Sequence, residues 1–266
     1  MKTRLDVYLV ENGYVATREK AKALIMAGDV FVNNQKAYKA GELVEENCEI
    51  TVKNELPFVS RGGFKLDKGI KVFNIDLKDK ICVDIGASTG GFTDCMLQNG
   101  AKKVYSVDVG YGQLDWKLRS DERVVVLERT NARYLSREHI PEEADFLSAD
   151  VAFISLKTAL TTAVDLLKND AYLMVLVKPQ FEAGKEFVGK KGVVRDKNVH
   201  RDVIINVCNA MREKGLSILD IDFSPIKGPQ GNIEYLLYMT KKDVESIDYV
   251  KKAEEISLLS HETLDD

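Results

Sequence analysis

The chain has 266 residues, 45% hydrophobic and 30% charged, enough for one large domain and a small one and too apolar for a disordered chain. Its net charge of −4 excludes a general attraction to nucleic acid; residues 241–266 hold eight acidic and four basic side chains, so the rest sums to zero and an RNA surface must be a local patch. The first ten residues lack a signal peptide's apolar core, and no run reaches about 18 uninterrupted apolar residues, so a cytoplasmic location without a membrane partner is expected.

Residues 1 to about 56 read as short elements. An amphipathic turn carries Leu5, Leu9 and Val10, and a helix follows from Thr17 to Ala27 with Ala21, Leu24 and Ile25 on its apolar face. Thr17 is the expected N-cap and Gly28 the stop. Strands are expected at 30–32 and 49–52, with a turn at Asn33-Asn34. Arg18 and Lys22 lie four apart on one helix face, Lys20 is close by, and Arg4 stands just upstream. Such a face suits RNA, and it equally suits a helix that is merely solvated.

Pro57 marks a junction, and SerArgGlyGlyPheLysLeu at 60–66 opens a second region in which strands and helices alternate. Strands are expected near 81–85, 104–108, 123–127, 145–149 and 172–177, the pattern of a doubly wound parallel sheet. A helix over about 198–213 precedes two strands, Ser217–Phe223 and Ile233–Met239, read as an antiparallel closing pair. The Gly- and Lys-rich segment 181–198 reads as a mobile surface loop able to cover a site. The acidic tail, 246–266, reads as a solvated helix or frayed end with no function.

The chemistry begins at residues 81–92, IleCysValAspIleGlyAlaSerThrGlyGlyPhe. A buried strand ends in Asp84 and a glycine-rich turn, where Gly86, Gly90 and Gly91 allow close approach of backbone to a ligand. Asp108, 24 positions beyond Asp84, ends the next strand, where an α/β fold of this type reaches ribose hydroxyls. The spacing is DxGxxxGG, and not the GxGxxG that sets a pyrophosphate on a helix. It resembles the first motif of S-adenosylmethionine-dependent methyltransferases, which implies that cofactor and contacts from Asp84, Gly86, Ser88, Gly90, Gly91, Phe92, Asp108 and Asp150.

Ligands of open α/β sheets bind at the carboxyl ends of the strands. Asp150 ends the fourth strand. Lys178 ends the fifth after an almost continuous apolar run, a costly place for a lysine that is neither paired nor functional. Glu234 starts the last strand, and Lys65 lies in the entry segment. A structural ion-pair cluster at the sheet edge is the competing reading. Cys48, Cys82, Cys95 and Cys208 form no CxxC pair, and His139, His200 and His261 fall in polar segments expected at the surface, so no metal is expected.

The order Lys65, Asp150, Lys178, Glu234 around DxGxxxGGF resembles the FtsJ-like ribose 2′-O-methyltransferases. The first region, through LeuAspValTyrLeu, ThrArgGluLysAlaLysAlaLeuIle and AlaGlyAspValPheValAsn, resembles the S4 RNA-binding domain. With AspValGlyTyrGlyGlnLeu, AspValAlaPheIleSerLeu and ValLysProGlnPheGlu, the chain is identified as similar to the TlyA family, also called hemolysin A. The resemblance implies a Rossmann-like methyltransferase sheet at 59–245 behind an S4-like domain at 1–58, with 246–266 as an acidic tail. It implies 2′-O-methylation of a ribosomal RNA cytidine by S-adenosylmethionine, with ribosomal RNA or subunits as partner and no protein partner. Arg4, Arg18, Lys20, Lys22 and Arg61 are the implied RNA contacts.

In this reading Lys178 is the general base and Lys65, a neighbouring cation, lowers its pKa. Asp150 orients Lys178, and Glu234 holds Lys65 or the ribose. Amino-directed base methylation fits less well, since AspValAlaPhe stands where Asn/Asp-Pro-Pro-aromatic is usual. Two other classes compete: a non-catalytic RNA-binding or assembly factor, and a membrane-lytic protein, which lacks support from any strongly basic amphipathic helix.

Overall fold

A computed structural model describes residues 2–265 apart from 16, 46–47 and 54–56, so the last residues before the Pro57 junction lie outside it. The chain divides into two compact units, Met1–Arg61 and Gly62–Asp266.

In the first unit, β1 (Lys2–Arg4) leads into α1 (Leu5–Glu11) and α2 (Arg18–Ala27), followed by β2 (Val30–Val32), β3 (Gln35–Lys36), β4 (Leu43–Glu45) and β5 (Ile50–Val52). The Thr17 hydroxyl accepts from Lys20 N–H, and Gly28 takes the left-handed conformation, so both ends of α2 are closed as the sequence suggests. Asn33 and Asn34 both have positive φ, the backbone of a tight hairpin turn, and join β2 to β3. The sheets are β3-β2-β5 and the pair β1-β4. Leu5, Leu9, Ala21, Leu24, Ile25 and Val30 form a separate small core.

The second unit starts with α3 (Gly62–Phe73). Then come β6 (Ile81–Ile85), α4 (Gly91–Gln98), β7 (Lys103–Val107), α5 (Trp116–Arg119), β8 (Val124–Leu127), β9 (Ala144–Ala149) and α6 (Leu156–Ala159). The chain continues through β10 (Leu167–Val177), α7 (Pro179–Glu182), α8 (Lys197–Glu213), β11 (Ser217–Phe223), β12 (Tyr235–Thr240) and α9 (Tyr249–Leu264). One seven-stranded sheet has the order β11-β12-β10-β9-β6-β7-β8, with β6 to β10 parallel and β12 antiparallel to β10 and β11. The strand order reverses between β6 and β9, which opens a crevice at their carboxyl ends. Tyr235 pairs with Val177, so the residue before β12 faces the residue after β10.

Two expectations fail here. The acidic end is no solvated tail: α9 packs on α8 and β11 and buries Ala253, Ile256, Ser257 and Ser260. Its acids line the outer face while an apolar stripe joins the core, which a count of charges does not reveal. His200 is buried and not at the surface; its Nε2 donates to the Val194 carbonyl, its Nδ1 lies 2.7 Å from the Tyr235 hydroxyl, and the His261 ring stands against it. Among the described residues, no helix is long and apolar enough to cross a membrane.

Candidate active site

The glycine turn after β6 is fixed by steric necessity. Gly86 has φ of +80°, and a Cβ there would overlap the Asp150 carbonyl oxygen, so the turn lies hard against the exit of β9. The Asp150 N–H donates to the Ile85 carbonyl, which locks the two strand ends together. Ser88, also at positive φ, donates its N–H to Asp108 Oδ2 at 2.8 Å, while Gly110 N–H donates to Asp108 Oδ1 at 2.7 Å. Asp108 thereby ties the glycine turn to the loop after β7. Each of its oxygens retains a lone pair.

Four of the eight expected contact residues are buried. Asp84 is fully buried and accepts from Thr93 Oγ1 at 2.7 Å and Ser148 Oγ at 3.1 Å. Burial pushes its carboxyl up to about 7. Phe92 is 3% exposed, on the inner face of α4, and Gly90 and Gly91 are buried. The Asp84 carboxylate lies within the sheet layer, where it ties α4 to β9. Gly86, Ser88, Asp108 and Asp150 remain accessible at the rim.

The four residues expected to work together do meet. Asp150 follows β9, Lys178 follows β10, Glu234 precedes β12, and Lys65 projects from the first turn of α3. Lys65 Nζ lies 2.6 Å from Glu234 Oε2 and 3.5 Å from Asp150 Oδ2, and Lys178 Nζ forms an ion pair with Asp150 Oδ1. The side chains of Lys65, Glu234, Lys178 and Asp150 are 9%, 1%, 12% and 19% exposed, so these are ion pairs in a largely desolvated pocket. Burial alone would depress the Lys65 ammonium, but the Asp150 and Glu234 carboxylates overcome it and hold Lys65 above the usual lysine value.

Lys65 stands beside Lys178 as a neighbouring cation, held by Glu234 and also by Asp150. Its charge is matched by two carboxylates, and Asp150 serves both ammonium groups at once.

The loop that carries Asp150 has features its sequence does not announce. Phe153 has φ of +63°, a conformation costing a bulky residue about 1–3 kcal/mol, and is 91% exposed with its ring centroid 5.0 Å from that of Phe181. Glu182 Oε1 accepts from Leu156 N–H at 2.7 Å, and burial pushes this carboxyl up to about 7. The only signal was the pair AspValAlaPhe and LysProGlnPheGlu, whose spacing alone does not show that they touch.

In the first unit, Asp6 is fully buried and collects two of the guanidiniums expected to bind RNA. Arg4 Nε and NH2 reach its two oxygens at 3.0 and 3.1 Å, and Arg18 NH2 reaches Oδ2 at 2.9 Å. The Arg4 hydrogen bonds, against the cost of burial and with help from Arg18, hold Asp6 down at about 2. Arg4 and Arg18 stay about half exposed. Lys22 is exposed, Lys20 partly so, and Arg61 is the last residue of this unit.

Both units match known families. The FtsJ-like methyltransferase family model covers residues 58–241, and the S4 domain model covers 3–50. The chain belongs to the FtsJ-like methyltransferase family. It is 54% identical over 240 residues to "Putative rRNA methyltransferase YqxC" of Bacillus subtilis, covering 90% of this chain and 85% of that one. It is 43% identical to the 16S/23S rRNA (cytidine-2'-O)-methyltransferase TlyA of Mycobacterium tuberculosis, covering 90% of each chain. A solved structure described as "Putative hemolysin from Streptococcus thermophilus" is 44% identical with a TM-score of 0.79, over 98% of this chain and 96% of that one. Membership in this family implies S-adenosylmethionine as cofactor. The strand-end crevice fits such a group: a glycine turn with no room for a Cβ and a carboxylate at the second strand end.

Proposed function

We propose that this protein transfers a methyl group from S-adenosylmethionine to a ribose 2′-hydroxyl, of a cytidine in ribosomal RNA, with Lys178 as general base. The observation that carries the reading is the placement of Lys178, sharing Asp150 with a Lys65 that Glu234 also holds, at the strand ends beside the glycine turn. Support for the substrate comes from the S4 match and from the relatives named for cytidine-2'-O-methylation of rRNA.

When bound, S-adenosylmethionine supplies a methyl on a sulfonium, whose positive charge also favours loss of a proton from a nearby ammonium. In this reading Asp108 takes the ribose diol and Gly86 and Ser88 the amino-acid part, while buried Asp84 ties α4 to β9. Asp150 pairs with both lysines and thereby orients Lys178. As the neutral amine, Lys178 would take the 2′-hydroxyl proton and leave the oxygen to accept the methyl group that the cofactor would supply. Lys65, kept charged, fixes Asp150 and Glu234 and thereby the direction of Lys178. Phe153 offers an exposed aromatic face beside Phe181 for the nucleobase. The first unit supplies Arg4, Arg18, Lys20 and Lys22 to the RNA backbone, with Arg61 at its end.

The test is transfer of labelled methyl to unmodified ribosomal subunits by wild type and Lys178→Ala, with cofactor binding followed by calorimetry. Wild type transfers; the variant binds cofactor and does not. Loss of cofactor binding in Lys178→Ala would instead place Lys178 among the cofactor contacts.

A further inference from the structure

The segment between α7 and α8, expected to be a mobile loop, has a closed turn at its middle. Gly189 N–H donates to the Val193 carbonyl at 3.0 Å and Gly192 N–H to the Gly189 carbonyl at 2.8 Å, with Gly192 at φ of +73°. Lys190 and Lys191 stand at the apex, both exposed.

The base of this turn is fastened from inside the unit. Asn232, 1% exposed, accepts from Val194 N–H at 3.0 Å and donates to the Gly192 carbonyl at 2.9 Å. Buried His200 donates to the Val194 carbonyl at 3.0 Å. Asn232 stands two residues before Glu234, and α7, which leads into the segment, begins at Pro179 directly after Lys178. The turn is thus tied by hydrogen bonds to the segment that carries Glu234 and by the chain itself to Lys178.

Its cations are uncommitted. Among the described residues Lys190, Lys191, Arg195 and Lys197 take part in no ion pair, whereas Lys65, Lys68, Lys103, Arg119 and Lys168 all do. Beside the turn lies an open cleft of about 360 Å³, lined by Phe187, Lys190, Lys191, Arg195 and Asp196 among others, with Phe187 52% exposed. The one acid there, Asp196, is occupied in capping α8, where its side chain accepts from Asn198 N–H. Unpaired cations raise the energy of the free protein by mutual repulsion, and an aromatic face among them suits stacking on a base. Their complement is a polyanion with flat rings.

We propose that the Gly189–Gly192 turn and Arg195 form a second RNA contact, within the methyltransferase unit itself, that grips backbone phosphates of the strand presented to Lys178. This rests on the RNA-methyltransferase reading above. Fastening through Asn232 and His200 gives the contact a fixed register relative to Glu234, so it positions RNA as well as attracting it.

The test uses the full chain with Lys190→Gln, Lys191→Gln and Arg195→Gln combined, all on the surface, and ribosomal RNA transcribed in vitro. Binding is measured from low to moderate salt. Each lost phosphate contact should lower the slope of log affinity against log salt by about 0.7–0.9, so the triple variant should lose about 2 in slope and at least roughly tenfold in affinity. Calorimetric binding of S-adenosylmethionine should be unchanged. Wild-type affinity and slope in the variant would overturn the contact, as would unchanged RNA binding with lost binding to vesicles of anionic phospholipid. A wild type that neither binds nor methylates RNA would bring down the functional reading itself, a result distinguishable from failure of the turn alone.

Discussion

Two carboxylates in this molecule each hold a pair of cations, and they differ in which cations they hold. Asp6 holds Arg4 and Arg18, whose guanidiniums stay half exposed; Asp150 holds Lys65 and Lys178, which are nearly buried. Arginine does not give up its proton in a protein, so the first arrangement presents permanent positive charge. Lysine can, and the second arrangement sets one lysine firmly with an extra carboxylate while leaving the other on a shared one. One cluster is suited to holding phosphate, the other to moving a proton.

Lys178→Arg puts the greatest strain on this contrast, because it keeps the charge and removes the removable proton. Methyl transfer should fall by roughly 10²–10⁴-fold, the range for loss of a general base, with the fold retained by circular dichroism. Next is Gly86→Ala. Its new Cβ meets the Asp150 carbonyl oxygen in a left-handed backbone, so cofactor affinity should drop by at least roughly tenfold, about 1.4 kcal/mol, in a direct binding titration. Asp6→Asn should cost the first unit about 1 kcal/mol, read from chemical unfolding, by weakening charged hydrogen bonds to two half-exposed arginines.

The same contrast sets up a pair of opposed pH dependences. Asp6 is held at about 2, so its stabilisation is present above the unfolded carboxylate value of about 4 and is lost as pH falls toward 2. Asp84 and Glu182 are raised to about 7, so the folded second unit keeps their protons longer than the unfolded chain does. Its stability should fall as pH rises from about 4 to 7 and level off above. Asp84→Asn should flatten part of that slope in thermal unfolding followed across pH.

Much of this was legible in the sequence because it rests on local rules. The glycine turn, the strand ends at Asp150 and Lys178, and both caps of α2 follow from apolar runs, turn residues and capping chemistry. What was not legible depends on contacts between distant segments. The helix α3 begins with Gly62-Gly63, poor helix formers, so Lys65 read only as part of an entry segment. Strands β1 and β4 pair only with each other, and unlike β2 and β5 they carry charges, at Lys2, Arg4 and Glu45. The burial of Asp6 depends on Arg4 and on Arg18, twelve residues away, closing over it, and α9 hid its apolar stripe among acids. The full burial of Asp84 likewise depends on Thr93 and Ser148 from neighbouring elements.

The chemical identity of the product is the decisive measurement. Ribosomal RNA labelled by the wild-type protein is digested to nucleosides and separated by mass spectrometry. The account predicts a 2′-O-methylated nucleoside, cytidine by its relatives' names, absent when Lys178→Arg replaces the wild type. A methyl group on a base, or an undiminished 2′-O-methyl product from Lys178→Arg, would contradict it.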